Sequence, residues 1–154
     1  MIEPHAPPPQ SRFSALERIA DEGICTVVRI DPLIPGINMD EDDLKSIISR
    51  SAEIGVKQIT TSTFKPIIGF FSALKSRDPK LYDNLSDAYK DGKWISGYKY
   101  LNEKKRLEIL KKIRDIVMRY GLDFATCREG FPWLNTNVCD GTGYCRSMLE
   151  KFIK

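Results

Sequence analysis

The order of apolar segments predicts an α/β fold: an open parallel sheet of about three βα units, with extra helices and a cysteine-containing C-terminal tail. Two observations carry this. Up to Ser62 the chain alternates helix, strand, helix, strand with short connections, the pattern of a parallel sheet crossed by helices. A third strand-like segment follows the longest helical stretch. The 154 residues suffice for one domain that buries roughly two thirds of its unfolded surface.

The elements read in order. Pro4 to Pro9 is proline-rich and runs extended, because each proline lacks a donor and restricts the residue before it. Ser11 to Glu22 reads as a helix capped by Ser11, with Leu16, Ile19 and Ala20 as its apolar stripe and Gly23 after its end. Ile24 to Ile30 is β-branched and nearly all apolar until Arg29, which suits a strand covered on both faces. Asp31-Pro32-Leu33-Ile34-Pro35-Gly36 should stop it, since proline cannot donate to a ladder. Asp40 caps the next helix, and Glu41, Asp42 and Asp43 suit the positive end of its dipole. Leu44, Ile47, Ile48 and Ala52 form its buried stripe, and Gly55 ends it.

Val56 to Ser62 reads as the second strand. Ile67, Ile68, Phe71 and Leu74 share one helical face. Asp78-Pro79 starts a further helix, with Leu81, Leu85 and Ala88 inward and Gly92 as its stop. Asn102 to Tyr120 is the longest helix, burying Leu107, Leu110, Ile113 and Val117 and turning its lysines outward. Gly121 to Thr126 is the third strand and runs into Cys127. Met148 to Ile153 reads as a short closing helix. Residues 1–126 thus make the α/β unit and 127–154 a tail packed on it, within a single domain.

Composition narrows the class. Lys and Arg number 24 against 21 Asp and Glu, a formal charge of +3, too mild to argue nucleic-acid binding without a denser basic stripe. No apolar run is long enough to cross a membrane. The N-terminus lacks the basic-then-apolar order of a secretory signal, so a soluble cytoplasmic protein is expected. Cys25 stands alone, whereas Cys127, Cys139 and Cys145 fall within nineteen residues. In such a protein that cluster suggests metal or reactive thiols more than disulfides.

Each predicted strand ends in polar residues: Arg29 and Asp31, then Thr61, Ser62 and Thr63, then Thr126 and Cys127. In α/β folds, sites gather at the carboxyl ends of strands. An arginine between Val28 and Ile30 needs a partner or a ligand. Trp94, Tyr98 and Tyr100, with Lys93 and Lys99, form an aromatic-basic patch. Such a mix can stack bases and meet phosphates, and it also describes a loop packed on the core with its lysines reaching to solvent.

Glu3-Pro4, Arg12, Gly23-Ile24 and then Arg29-Ile30-Asp31-Pro32-Leu33-Ile34-Pro35-Gly36-Ile37-Asn38 resemble the second half of a radical S-adenosylmethionine (SAM) barrel, of the spore-photoproduct-lyase-like or DNA repair photolyase branch. Gly121-Leu122, Phe124 to Gly130 and Cys139-Asp140-Gly141 resemble the C-terminal strand and cysteine tail of its archaeal members. The resemblance runs from Glu3 to about Cys145. It implies a half barrel of TIM type, SAM and a [4Fe–4S] cluster as cofactors, and 5′-deoxyadenosyl radical chemistry. The chain departs from the family in lacking both the CxxxCxxC that holds the cluster and the glycine-rich segment after it. A six-stranded barrel needs roughly 190 residues, scaled from about 250 for eight units. The expected protein is therefore a portion of an enzyme, inactive until a second polypeptide or its own copy completes the barrel.

On this reading Arg29 and Asp31 contact SAM or substrate, with Thr61 and Ser62 behind them and Glu3 as a further candidate. Cys127, Cys139 and Cys145 are candidate ligands of an auxiliary iron–sulfur cluster or zinc. Asp140, Cys25, His5, the partner or an exogenous molecule would supply the fourth. The competing expectation is a metal-binding α/β interaction module without radical chemistry. Nucleic acid is a possible partner without support from charge.

Overall fold

A computed structural model describes residues 5–144 of the protein. Glu3, Cys145 and the expected helix Met148 to Ile153 lie outside the described residues. The parallel α/β expectation holds. Strands β1 (Val27–Leu33), β2 (Gln58–Thr63) and β5 (Asp123–Thr126) form one parallel sheet in the order β1-β2-β5. The sheet is open, and no closed barrel forms among the described residues.

Helix α1 (Pro9–Asp21) starts two residues before the expected cap. Pro8 stands at the N-cap and Pro9 opens the helix, where a missing donor costs nothing and the fixed φ is already helical. Ser11 therefore caps nothing. None of its residues is buried, so the stripe of Leu16, Ile19 and Ala20 is only partly covered. Helix α2 (Glu41–Ile54) follows the sequence closely. The Asp40 side chain accepts from the amides of Asp42 and Asp43, and Gly55 ends the helix at φ 88°, a conformation glycine adopts without penalty.

Strand β1 differs from expectation. It passes through Asp31-Pro32, whose peptide is cis, to a buried Leu33, with its register to β2 shifted between Ile30 and Leu33. Among the described residues β1 is an edge strand, where a proline costs the ladder no bond. Nor is it covered on both faces, since Arg29 is exposed.

The middle of the chain holds two surprises. Helix α3 (Phe70–Arg77) begins after Ile67 and Ile68, which remain 58% and 74% exposed. Helix α4 (Pro79–Tyr89) then starts at the expected Asp78 cap. Beyond it, Lys93–Ile95 (β3) and Tyr98–Tyr100 (β4) pair antiparallel. The aromatic-basic segment is thus a hairpin. Its turn is Ser96-Gly97, both at positive φ, as a two-residue hairpin turn requires. Gly92 is fixed by packing, because a Cβ there would sit 2.0 Å from the Tyr100 carbonyl oxygen.

Helix α5 (Glu103–Arg119) is capped by Asn102 and buries Leu110, Ile113, Ile116 and Val117. With Leu44 and Ile48 of α2 it covers Ile59 and Phe124 on one face of the sheet. A smaller cluster joins Ile34, Leu85, Tyr89 and Leu101 under α3 and α4. No helix of the described residues is long and apolar enough to cross a membrane.

Candidate functional site

Strand geometry sorts the sheet into two chemistries. Successive side chains alternate faces, and Arg29 pairs with Thr60, which pairs with Ala125. Two residues further on, Asp31, Ser62 and Cys127 share that face, and two residues earlier Gln58 does. The face opposite the helices is therefore polar, although Gln58 and Thr60 are fully buried. The polypeptide that covers it is the segment after Asn137. Gln58 Nε2 donates to the Val138 carbonyl at 3.0 Å, and Thr60 Oγ1 donates to the Cys139 carbonyl at 3.0 Å. Gly141 lies against Val27, closely enough that an added Cβ would come within 3.0 Å of Cγ1.

At the carboxyl end of this face Asp31 is the hub. Arg29 Nη2 donates to Asp31 Oδ2 at 2.6 Å, and the Ser62 hydroxyl donates to Asp31 Oδ1. Arg29 also reaches the Cys139 carbonyl at 3.5 Å and the Cys127 thiol. Its pKa is raised, first by the hydrogen bond to Asp31. Arg29 remains 43% exposed, so the pair is oriented yet open to a ligand, and water screens its strength.

The Cys127 and Cys139 thiols meet. Burial pushes the Cys139 thiol up, and the neighbouring Cys127 pushes it further. Asp140 turns away: it accepts from the Thr142 amide at 3.0 Å and hydroxyl at 2.7 Å. His5 is exposed. Cys25 contributes to the electrostatics at Tyr144. Among the described residues no three His, Cys, Asp or Glu side chains gather as a metal site would need. Cys127 and Cys139 supply half of the four ligands that zinc requires. The family's CxxxCxxC would supply three thiolates, and the two adjacent thiols among the described residues do not fit such a cluster.

Thr61 must be reassigned. It points to the helix-packed face, is fully buried, and donates its hydroxyl to the Ile30 carbonyl at 2.7 Å. It ties β2 to β1 and does not reach the polar face. Alternation between Thr61 and Ser62 in the sequence could have revealed this, because two adjacent strand residues cannot share a face.

Sequence reading also missed a charged network behind the strand ends. The Glu129 carboxylate is fully buried. It accepts from the Thr63 amide at 2.7 Å, from Lys65 Nζ at 2.6 Å and from Arg106 Nη1 at 3.0 Å. Arg106 comes from the first turn of α5, in a run that reads as a solvated basic face, and it also donates to the carbonyls of Glu129 and Leu101. Only the fold brings Lys65, Arg106 and Glu129 together.

A protein described as uncharacterized protein ORF301 of Acidianus two-tailed virus is 37% identical to this chain over 62 residues, 38% of the chain and 21% of that protein. The chain thus spans about a fifth of the length of the curated relative it matches. No family model matches the chain, and no solved structure does.

Proposed function

We propose that the chain forms the pocket side of a radical-SAM-type barrel, with Arg29, Asp31 and Ser62 contacting SAM or substrate. The observation that supports this most is the polarity of the sheet face opposite the helices. In a barrel one face of each strand packs on helices and the other looks inward, where branched apolar side chains commonly fill a closed core. Here the inward positions at the carboxyl end carry Arg29, Asp31 and Ser62, which suit a polar ligand better than a packed core, while Gln58 and Thr60 below them are bonded to the tail. Arg29 would take a carboxylate and Asp31 an ammonium, so the amino-acid end of SAM matches the pair. SAM itself supplies the radical precursor when a reducing cluster is present. This chain has no CxxxCxxC, so a reducing cluster would belong to a second polypeptide.

The edges of the sheet support the same reading. Along β5 the Thr126 amide donates to Asn135 Oδ1 and the Thr136 amide donates to the Phe124 carbonyl, at 2.7 and 2.8 Å. That edge is occupied. Among the described residues β1 pairs with β2 alone, and further strands would join there.

Calorimetry with SAM under anaerobic conditions tests the proposal. The chain should bind SAM, Arg29→Ala and Asp31→Ala should each weaken binding about tenfold or more, and the pure chain should not cleave it. SAM cleavage by the chain alone, or binding indifferent to both substitutions, refutes it.

A second reading, a metal-binding interaction module, draws on the meeting of Cys127 and Cys139. Zinc or iron that copurifies with the chain and is lost in Cys127→Ser and Cys139→Ser would favour it.

A further inference from the structure

At the carboxyl end of β2 the sheet opens into a cavity of about 220 Å³, walled by Asp31, Ser62, Lys65, Tyr98, Tyr100 and Arg128 among others. We propose that this cavity binds the phosphate of a small phosphomonoester, with Lys65 and Arg128 as its cationic donors and the β3–β4 hairpin as its wall. The inference rests on reading the strand ends as a ligand site. It adds a chemistry that SAM, which carries no phosphate, does not have.

Charge is the first argument. Two cations line the cavity, and the carboxylate opposing them is already engaged. Asp31 gives one oxygen to Arg29 and the other to Ser62. Lys65 is held in place from behind, with a side chain only 10% exposed. Its ammonium donates to Glu129 Oε1 at 2.6 Å and to the Thr63 carbonyl at 3.0 Å. An ammonium has three donors, so one remains for the cavity. Glu129 does not cancel this cation alone, because it is shared with Arg106 at 3.0 Å.

Arg128 is the second argument. It makes no hydrogen bond or ion pair with the described residues, and its backbone stands at φ 53°, uncommon for a residue other than glycine. That conformation diverts the chain as it leaves β5 and turns Arg128 to the cavity, while its neighbour Glu129 turns inward. A planar fork of donors and a fixed ammonium lining one cavity match a phosphate dianion better than a monovalent carboxylate.

Size and walls complete the case. Drug-sized ligands fill about 300–1,000 Å³, so this cavity suits a phosphate with a few carbons. Tyr100 is fixed by the cations around it, with Lys65 Nζ 5.5 Å and Arg106 Cζ 5.1 Å from its ring centroid. Tyr98 forms the rim and is bridged to Ile67, so the hairpin is anchored at the cavity mouth.

Calorimetry on the full chain, with glycerol 3-phosphate, inorganic phosphate and lactate as probes, tests this. Glycerol 3-phosphate should bind and lactate should not. Arg128→Gly, which accepts the positive φ, should weaken the phosphate ester about tenfold or more, with an unchanged circular dichroism spectrum. Arg128→Lys, keeping charge without the fork, should fall between. Inorganic phosphate binding as tightly as the ester, or more weakly, supports the site equally, and the difference tells whether the carbons are read. Absence of phosphate binding at about 10 mM, indifference of both Arg128 variants, or preference for lactate overturns it. SAM binding in the same variants separates the two proposals: it should survive Arg128→Gly, whereas phosphate binding should not.

Discussion

Replacing Glu129 by alanine tests whether the buried network organises the strand ends. Its carboxylate is fully buried and sits between two cations whose side chains are 10% and 9% exposed. Truncation leaves Lys65 and Arg106 buried without their counter-charge and strips the Thr63 amide of its 2.7 Å partner. Removing one member of a buried ion pair costs about 3–5 kcal/mol, because the partner charge remains desolvated. Here two partners are stranded, but Arg106 keeps its bonds to the carbonyls of Leu101 and Glu129, and Lys65 keeps the Thr63 carbonyl. The cost should therefore stay inside that range. In a domain of this size each kcal/mol lowers Tm by about 2–4 °C, so the midpoint should fall by roughly 10 °C. Thermal unfolding followed by circular dichroism measures the midpoint, and urea unfolding followed by tryptophan fluorescence measures the free-energy loss. Lys65→Met should cost less, because the carboxylate then keeps Arg106 and Thr63. A loss below about 1 kcal/mol for Glu129→Ala would mean that water reaches the network, and the reasoning would fail.

Three further outcomes follow from particular contacts. Gly92→Ala should disrupt the hairpin, because its methyl would meet the Tyr100 carbonyl at 2.0 Å and backbone cannot yield as a side chain does. Loss of Trp94 fluorescence anisotropy and faster proteolysis between Gly92 and Leu101 would report it. Tyr89→Phe should cost about 1–3 kcal/mol, since a buried hydroxyl donates to the Phe64 carbonyl and its loss leaves that oxygen unpaired; an unchanged urea midpoint would count against that bond.

The third concerns acid. Asp123 has its pKa lowered, first by the Tyr144 hydroxyl and also by Thr136, against an opposing effect of burial. A depressed carboxylate contributes stability above its unfolded value near 3.9 and loses it as pH falls through the lower folded value. Asp123→Asn should flatten the decline in stability below about pH 4, and identical pH slopes in variant and wild type would contradict the assignment. Tyr144 is pushed up to about 12, by burial first and then by Asp123, so it remains a donor throughout that range.

Local chemistry made much of this protein legible in its sequence. The Asp40 and Asp78 caps, Gly55, the stripe of α5 and the parallel order of strands all depend on neighbours within a turn or on a repeat of the chain's own geometry. That Arg29 needs a partner was legible too, because a charge inside an apolar strand needs compensation wherever the strand lies. What escaped was decided at a distance. β1 runs through Asp31-Pro32 because it is an edge, and edge position is a property of the sheet. Lys93 to Tyr100 becomes a hairpin because its turn residues and Gly92 fit against Tyr100. Alternation tells that Thr61 and Ser62 point to opposite faces, but only the packed helices decide that Thr61 faces them and Ser62 faces Asp31. The sequence by itself determined the three parallel strands, most of the helices and the polar ends of the strands. Only the tertiary structure decided which of those ends share a face, and that Lys65, Arg106 and Glu129 meet there. Burial makes an unpaired charge costly, and burial exists only once the segments have packed.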